Sequence, residues 1–338
     1  MPERARQPRR ARLYKLRPRQ PGPLPVGAAR HPGVGGVTPA PAAQAWRDAG
    51  KAGAGPYTGR VRGVYWPMHI SFGHEITLDC PQPTPLVCLT AVHRDHAVLG
   101  AEPFLPAPEK VVTDPSVPLW FGRDLYGNVL IRLVAPAGRF TLRVEGLAES
   151  NGQLPAPDPG LPEAPVEALP DAAMLYLFPS RYCDSDRLAD FAWERFGQIP
   201  AGWGRVQAIS DFVHGHLRFD YMAARDSRTA SDALAERVGV CRDFAHLGIA
   251  LCRALNVPAR YTSSYLGDIG VPEAGPMDFA AAMEVWLGGR WVPFDPRNNA
   301  PRIGRIVLAR GRDAADAPLL QSFGRHTLVG FRVWTDAE

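Results

Sequence analysis

The feature that most constrains this chain is a helical run that begins at Cys241. Apolar and small residues recur there at steps of three and four over residues 244–255, which indicates a largely buried helix. Gly239 interrupts the preceding pattern, and Asn256 with Pro258 ends the run. The spacing therefore predicts a helix with Cys241 in its first turn or just before it.

A thiol at the start of a helix is a candidate nucleophile. Unpaired backbone N–H groups and the positive end of the helix dipole lie at that position. Both favour the thiolate over the thiol, so we expect a lowered pKa for Cys241. Position alone leaves one alternative open, which is that Cys241 is a small buried apolar residue.

Charge and cysteine usage argue against several classes of protein. Residues 1–30 hold eight Arg and one Lys against one Glu, so the remainder of the chain is slightly acidic although the net charge is +4. The five cysteines form no CxxC pair, which argues against a disulfide framework and favours a reducing cytoplasm. No run approaches the roughly 18 apolar residues of a membrane span, so we expect no membrane partner. No metal-binding, P-loop or dinucleotide motif is present, and we expect no metal and no cofactor.

Four segments differ in composition and periodicity. Residues 1–64 are rich in Pro, Gly, Ala and Arg, which predicts a disordered basic extension. Aromatic residues are not interleaved with its arginines, so we expect no specific nucleic-acid partner. Residues 66–150 alternate in short apolar runs separated by turn signals, which predicts an antiparallel β domain. Six prolines predict a linker over 151–173, and residues 174–338 combine helical periods with later strands. The predicted fold class is α+β, with a cysteine-bearing helix packed on an antiparallel sheet.

A predicted β-hairpin after the cysteine helix is placed to carry the partners of the thiol. Gly288-Gly289 is a two-residue turn signal between two apolar runs. Counting back from this turn puts Asp295 opposite Ala282 and diagonally within reach of Ala280. A thiol nucleophile needs an imidazole and a group that orients the imidazole. This face of the hairpin has the carboxylate of Asp295 and, where an imidazole could stand, Ala280.

Several motifs in this half of the chain share one pattern. They are Gly-Val-Cys-Arg-Asp-Phe-Ala-His at 239–246, Asn-Val-Pro-Ala-Arg-Tyr at 256–261, Met-Asp-Phe at 277–279, Glu-Val-Trp-Leu-Gly-Gly-Arg-Trp-Val-Pro-Phe-Asp-Pro at 284–296, and a tail at 301–316. Together they resemble the bacterial transglutaminase-like superfamily, which has a papain-like cysteine protease fold. The resemblance spans about 68–337 and includes a β-rich amino-terminal region.

The resemblance implies a nucleophile at Cys241 and an orienting acid at Asp295. The histidine of the family stands in an Asp-Phe-His-Ala-Trp type of run, which here is Asp-Phe-Ala-Ala-Ala at 278–282. The histidine position is therefore Ala280. With that departure we expect a degenerate site that binds a peptide or acyl-bearing ligand and is weakly active or inactive.

Three further residues are candidates for ligand binding. Arg242 could stabilise a thiolate or a substrate carboxylate, although a solvated surface charge is the alternative. Asp278 could serve as a base if the thiol is already acidic. Trp203 follows a Gly/Pro-rich loop and could form the wall of a groove, with packing as the alternative.

Other functions stay open at the level of the sequence. One is an active thiol peptidase, amidase or acyl-transferase that uses Cys241 with a base from elsewhere, and another is a non-catalytic scaffold. Without an imidazole, Asp295 is expected to pair with Arg297 or Arg290, or to accept backbone N–H groups. The predicted helices contain three histidines, which are His214, His216 and His246. His246 lies five positions after Cys241 and faces away from it by roughly 140° on a helix, so we expect it to lie in the core.

Overall fold

The computed structural model describes residues 68–98, 101–273 and 277–338 as an α+β fold. The predicted extension 1–64 lies outside the described residues. The strands are β1 Met68–Cys80, β2 Thr84–Cys88, β3 Lys110–Asp114, β4 Trp120–Arg123, β5 Val129–Ala135, β6 Gly138–Ser150, β7 Arg218–Phe219, β8 Val238–Gly239, β9 Ala259–Tyr265, β10 Ala280–Leu287, β11 Arg290–Phe294, β12 Ile306–Gly311, β13 Leu320–Ser322 and β14 Thr327–Ala337. The α-helices are α1 Asp171–Met174, α2 Ala189–Phe196, α3 Trp203–His216, α4 Ala230–Glu236 and α5 Cys241–Ala254. No helix within these ranges is long and apolar enough to cross a bilayer.

Three four-stranded antiparallel sheets organise the described chain. Their strand orders are β14-β1-β6-β3, β13-β2-β5-β4 and β11-β10-β9-β12. The first two sheets combine strands of the predicted amino-terminal β domain with strands from the carboxyl end, since β14 pairs with β1 along ten residue pairs. The described residues from Met68 onwards accordingly belong to one compact unit. The finer division at residues 150 and 173 stays a prediction.

The predicted linker 151–173 is fixed to the helical region by hydrogen bonds. The carbonyl of Leu161 accepts from the N–H of Trp203 at 2.9 Å. The carbonyl of Pro162 accepts from the N–H of Gly288 at the tip of the hairpin, also at 2.9 Å. Glu163 forms a buried ion pair with Arg205 of α3. These contacts tie the Pro-rich segment to α3 and to the tip of the β10–β11 hairpin.

Helix α5 lies at the centre of the largest core cluster. Every residue from Asp243 to Arg253 is buried, as expected for a helix that is covered on all sides. Gly248 permits the closest approach to the sheet, because a Cβ added there would lie only 2.8 Å from Sδ of Met283 on β10. The predicted cysteine helix and its packing on an antiparallel sheet are therefore confirmed.

A buried network of charged side chains joins the β11-β10-β9-β12 sheet, on which α5 packs, to the segment around residue 94. Glu284 on β10 accepts from Arg310 at 2.9 and 3.1 Å and from Arg260 at 2.6 Å. Arg310 also donates to Asp95 at 2.7 Å and contacts His93 at 2.8 Å. Burial by itself would raise the pKa of Glu284, but the two guanidinium groups outweigh it and lower the pKa to about 2. The network therefore holds Glu284 ionised in a buried place.

We expect Glu284→Gln to lower the free energy of unfolding by about 3 kcal/mol near pH 7, because it leaves the buried guanidinium of Arg260 without a carboxylate and Arg310 with only the exposed Asp95. A carboxylate with a lowered pKa stabilises the fold above its unfolded pKa and loses that contribution as the pH falls. The difference from the unmodified chain should thus shrink between pH 4.5 and about 2. Urea titrations at several pH values measure it. Asp158→Asn, which removes the exposed partner of Arg290, is the control and should change stability by less than about 1 kcal/mol. A constant difference across this pH range would contradict the assignment.

Candidate active site

The first turn of α5 is fixed by a buried carboxylate. Asp243 is 1% exposed, and its Oδ2 accepts from the N–H of Val240 at 2.9 Å and from Arg228 at 3.0 Å. A Cβ at Gly239 would lie 2.6 Å from Cβ of Asp243, so only glycine allows the chain to enter the helix this closely. Asp243 therefore caps the helix, and Cys241 is its first residue. The predicted position of the thiol is confirmed.

Cys241 borders a cleft of about 80 Å³ at the start of the helix. Of the five free cysteines it alone is partly exposed, and the other four are buried. The cleft is lined by Phe219, Tyr221, Cys241, Leu266, Asp268, Met277, Asp278, Phe279, Ala280, Arg297 and Arg302. The structure thus brings together the thiol, Ala280 and Asp278. Among the described residues of this lining there is no histidine.

The hairpin forms with the predicted register. Gly288 and Gly289 have φ values of 57° and 78°, the left-handed conformation that a two-residue turn of this type requires. Leu287 pairs with Arg290, and the ladder continues to Met283 and Phe294. Asp295 follows directly, at the end of β11 and opposite the first residues of β10.

The Asp295 carboxylate is enclosed and fully engaged. Its side chain is 8% exposed, and it accepts from the backbone N–H of Asn298 at 3.0 Å and from the side-chain amide of Asn298 at 2.7 Å. Arg305 forms an ion pair with the same carboxylate. A second N–H of Arg305 donates to Oγ of Ser264 at 3.0 Å, and that hydroxyl donates to the carbonyl of Ala280 at 3.0 Å. The guanidinium of Arg305 and the hydroxyl of Ser264 therefore connect the acid to the backbone of Ala280.

The predicted partners of Asp295 are partly wrong. The prediction of accepted backbone N–H groups is confirmed by Asn298. The two arginines proposed as its partners are engaged elsewhere, because Arg297 donates to the side-chain oxygen of Asn298 at 3.0 Å and Arg290 pairs with Asp158 at 3.2 Å. Both predictions considered only neighbours along the hairpin, whereas the true partner comes from the far side of the sheet.

The expected lowering of the Cys241 pKa is also wrong. Loss of contact with water raises the pKa of the Cys241 thiol, and this is the largest effect on it. A hydrogen bond from the backbone of Ala281 and the charge of Arg297 act in the opposite direction, while the carboxylates of Asp278 and Asp295 add to the rise. Desolvation and two nearby negative charges therefore favour the neutral thiol. The start of the helix is not sufficient to produce a thiolate.

Asp278 lies in the cleft, as its candidate role requires. Its Oδ1 accepts from the N–H of Phe279 at 2.7 Å. Removal from water raises the pKa of Asp278, and the hydrogen bond from Phe279 only partly offsets that effect. Asp278 is also the charged side chain with the largest electrostatic effect on the thiol.

The other two candidate binding residues do not line the cleft, as far as the described lining shows. Arg242 donates to the backbone carbonyl of Arg225 at 2.7 Å, with its guanidinium 5.6 Å from the ring of Tyr182. Trp203 begins α3, and its ring lies 6.0 Å from that of Phe294. Both side chains make packing contacts, which was the alternative for Trp203.

The histidines of the helices make structural contacts. His246 is fully buried, accepts from the N–H of Ala314 at 3.2 Å and stacks on Tyr182 at 5.1 Å. Its complete burial confirms the predicted place of His246 in the core. The same burial lowers the pKa of His246 well below that of free histidine. His214 donates to the carbonyl of Arg297 at 2.9 Å and so supports the turn after Asp295. Within the described ranges, no group of three or more His, Cys, Asp or Glu side chains is placed to hold a metal ion.

We expect alkylation of Cys241 by iodoacetamide to be slow at pH 7 and to rise with pH to a midpoint above the ~8.5 of an unperturbed cysteine, because the thiolate reacts and the thiol pKa is raised. Mass spectrometry of the Cys241 peptide measures the rate. Cys241→Ser reports the background from the four buried thiols. A plateau reached below pH 7 would contradict the raised pKa.

Comparison with known proteins agrees with this geometry. The sequence profile of the transglutaminase-like superfamily matches residues 195–296, which include Cys241, Ala280 and Asp295. The solved structure of a putative cysteine protease from Cytophaga hutchinsonii is 30% identical, covers 80% of this chain and 90% of that chain, and superposes with a TM-score of 0.69.

Two mycobacterial relatives match over shorter stretches. An uncharacterised protein of Mycobacterium tuberculosis is 38% identical over 130 residues, which is 34% of this chain and 41% of the relative. An uncharacterised protein of Mycobacterium leprae is 38% identical over 93 residues, 26% of this chain and 33% of the relative. The match thus spans about a third to two fifths of the length of these curated relatives. With its cysteine helix, its sheet and the extended match to the Cytophaga structure, this chain belongs to the transglutaminase-like superfamily.

Proposed function

We propose that this chain is a transglutaminase-like protein whose cleft binds a peptide or acyl-bearing ligand at Cys241 and turns it over weakly or not at all. The observation that carries the proposal is the engagement of Asp295. Its carboxylate is occupied by Arg305 and Asn298, while the neighbouring strand position holds Ala280. The acid therefore has no imidazole to orient.

Three properties of the site each lower the expected rate of catalysis. Loss of a positioned general base typically removes roughly 10²–10⁴-fold of rate. The raised pKa of Cys241 leaves little thiolate near neutral pH. Arg305 neutralises the carboxylate that would stabilise an imidazolium. The thiol still borders an open cleft, which supports ligand binding.

We also propose a cytoplasmic setting and a peptide or protein partner, with no specific nucleic-acid or membrane partner. The cytoplasmic setting is supported by five free thiols, four of them buried in the core. The peptide partner follows from the superfamily and from the position of the cleft at the nucleophile.

We expect Ala280→His alone to raise amide hydrolysis only slightly, because the new imidazole competes with Arg305 for Asp295. Ala280→His combined with Arg305→Gln removes the competing cation and should gain about 10²-fold or more over the unmodified chain. Release of ammonia from a glutamine-containing peptide measures the rate. Arg305→Gln alone and Cys241→Ser in each background are the controls, and far-UV circular dichroism verifies folding. An unmodified chain as fast as the double variant would contradict the proposal.

A second candidate function is an active thiol amidase in which Asp278 accepts the proton of Cys241. It is favoured by one observation, which is that Asp278 shares the cleft and has the largest electrostatic effect of any side chain on the thiol. A carboxylate is a weak base for such a thiol, because the two pKa values lie several units apart.

We therefore expect the unmodified chain to hydrolyse amides no faster than Cys241→Ser in the same ammonia-release measurement. A rate that is lost in both Cys241→Ser and Asp278→Asn, but retained in Asp158→Asn, would instead establish the second candidate. Asp158 is the matched control because its carboxylate is exposed and pairs with Arg290 at a distance from the cleft lining.

A further inference from the structure

Two opposite charges border the cleft without pairing with each other. Asp278 and Arg297 both line it, and no ion pair within 4.0 Å joins them or joins either to another charged side chain of the described chain. Arg297 donates to the neutral Asn298 and lies 4.2 Å above the ring of Phe219. By contrast, Arg302 in the same lining pairs with Asp268 at 3.0 Å. Asp278 and Arg297 therefore keep their charges available to a ligand.

Both charges line the same cleft as the thiol. The carboxylate of Asp278 raises the pKa of Cys241, and the guanidinium of Arg297 lowers it. The same two charges also act on the hydroxyl of Tyr221. A ligand beside the sulfur thus meets one positive and one negative group. An anion or a cation alone gains from one of them and is repelled by the other, whereas a molecule carrying both charges gains from both.

The size of the cleft limits what can lie between these charges. Its volume of about 80 Å³ is far below the ~300–1,000 Å³ of pockets for drug-sized ligands. The main chain of one amino acid, with its ammonium and carboxylate, is a group of suitable size. The rest of the lining is the Asp268–Arg302 ion pair, Tyr221, Ala280 and four larger apolar side chains: Phe219, Leu266, Met277 and Phe279.

We infer that the cleft beside Cys241 binds a zwitterion, a free amino acid or a short peptide, with the ammonium at Asp278 and the carboxylate at Arg297. This inference rests on the proposed function and names the chemistry of its ligand. It concerns binding only, and no bond to the sulfur is formed.

Protection of Cys241 from iodoacetamide in the full chain tests the inference. Glycine and glycylglycine are compared with methylamine and acetate, which carry one charge each. We expect at least one zwitterion to slow alkylation saturably, with a half-saturating concentration about tenfold lower than those of both single-charge compounds. Protection by glycine alone identifies a free amino acid, and protection by glycylglycine alone identifies a peptide. Zwitterions that protect no better than methylamine or acetate overturn the inference.

Variants that remove one charge show which residues give the zwitterion its advantage in protecting Cys241. Asp278→Asn and Arg297→Gln should each reduce the advantage of the zwitterion to about twofold or less, while Arg290→Gln, which removes an exposed cation paired with Asp158, should retain it. An advantage unchanged in both cleft variants overturns the assignment of the residues. Should either variant fail to fold, the ligand series on the unmodified chain decides. Failed protection leaves the amide-hydrolysis result unaffected, so the two proposals fail separately.

Discussion

A buried carboxylate is stable only beside a cation, and this requirement determines how the strands meet at the end of the sheet that carries the site. Asp295 lies where β11 ends, and its partner Arg305 lies directly before β12, on the opposite edge of the same sheet. The guanidinium reaches across β9, where Ser264 accepts one of its N–H groups. Ser264 stands directly opposite Ala280 in the ladder, so their side chains share one face. One ion pair thus ties together the ends of all four strands of this sheet.

The state of the thiol follows from the relative size of two opposing effects. A helix amino terminus contributes typically 0.3–1 kcal/mol to a nearby negative charge. Desolvation can shift a fully buried group by up to about 3–5 pKa units, and one unit corresponds to about 1.4 kcal/mol. For Cys241, removal from water is the largest effect on the thiol pKa, and the carboxylates of Asp278 and Asp295 act in the same sense. A cationic imidazole at position 280 would have changed this balance, because it places a positive charge beside the sulfur.

Local features of the sequence predicted most of this site. The helical period after Gly239 located the thiol, and the Gly288-Gly289 turn fixed the register that puts Asp295 near Ala280. Arg305 was missed because it precedes β12, a strand without a turn signal whose pairing with β9 depends on tertiary structure. The pairing of β14 with β1 could not be predicted for the same reason, because β1 lies some 250 residues earlier in the chain. Hairpin register follows from the turn, whereas the order of strands in a sheet depends on packing over the whole chain.

The Arg305 ion pair keeps the Asp295 carboxylate satisfied in a site that holds alanine at position 280. Ala280 without Arg305 would leave Asp295 buried and unpaired, and loss of one partner of a buried ion pair destabilises by about 3–5 kcal/mol. Arg305 together with a histidine at position 280 would bring two cations to a carboxylate whose oxygens already accept from Asn298. The ion pair thus gives the acid a structural role at the end of the sheet, while the cleft keeps the thiol.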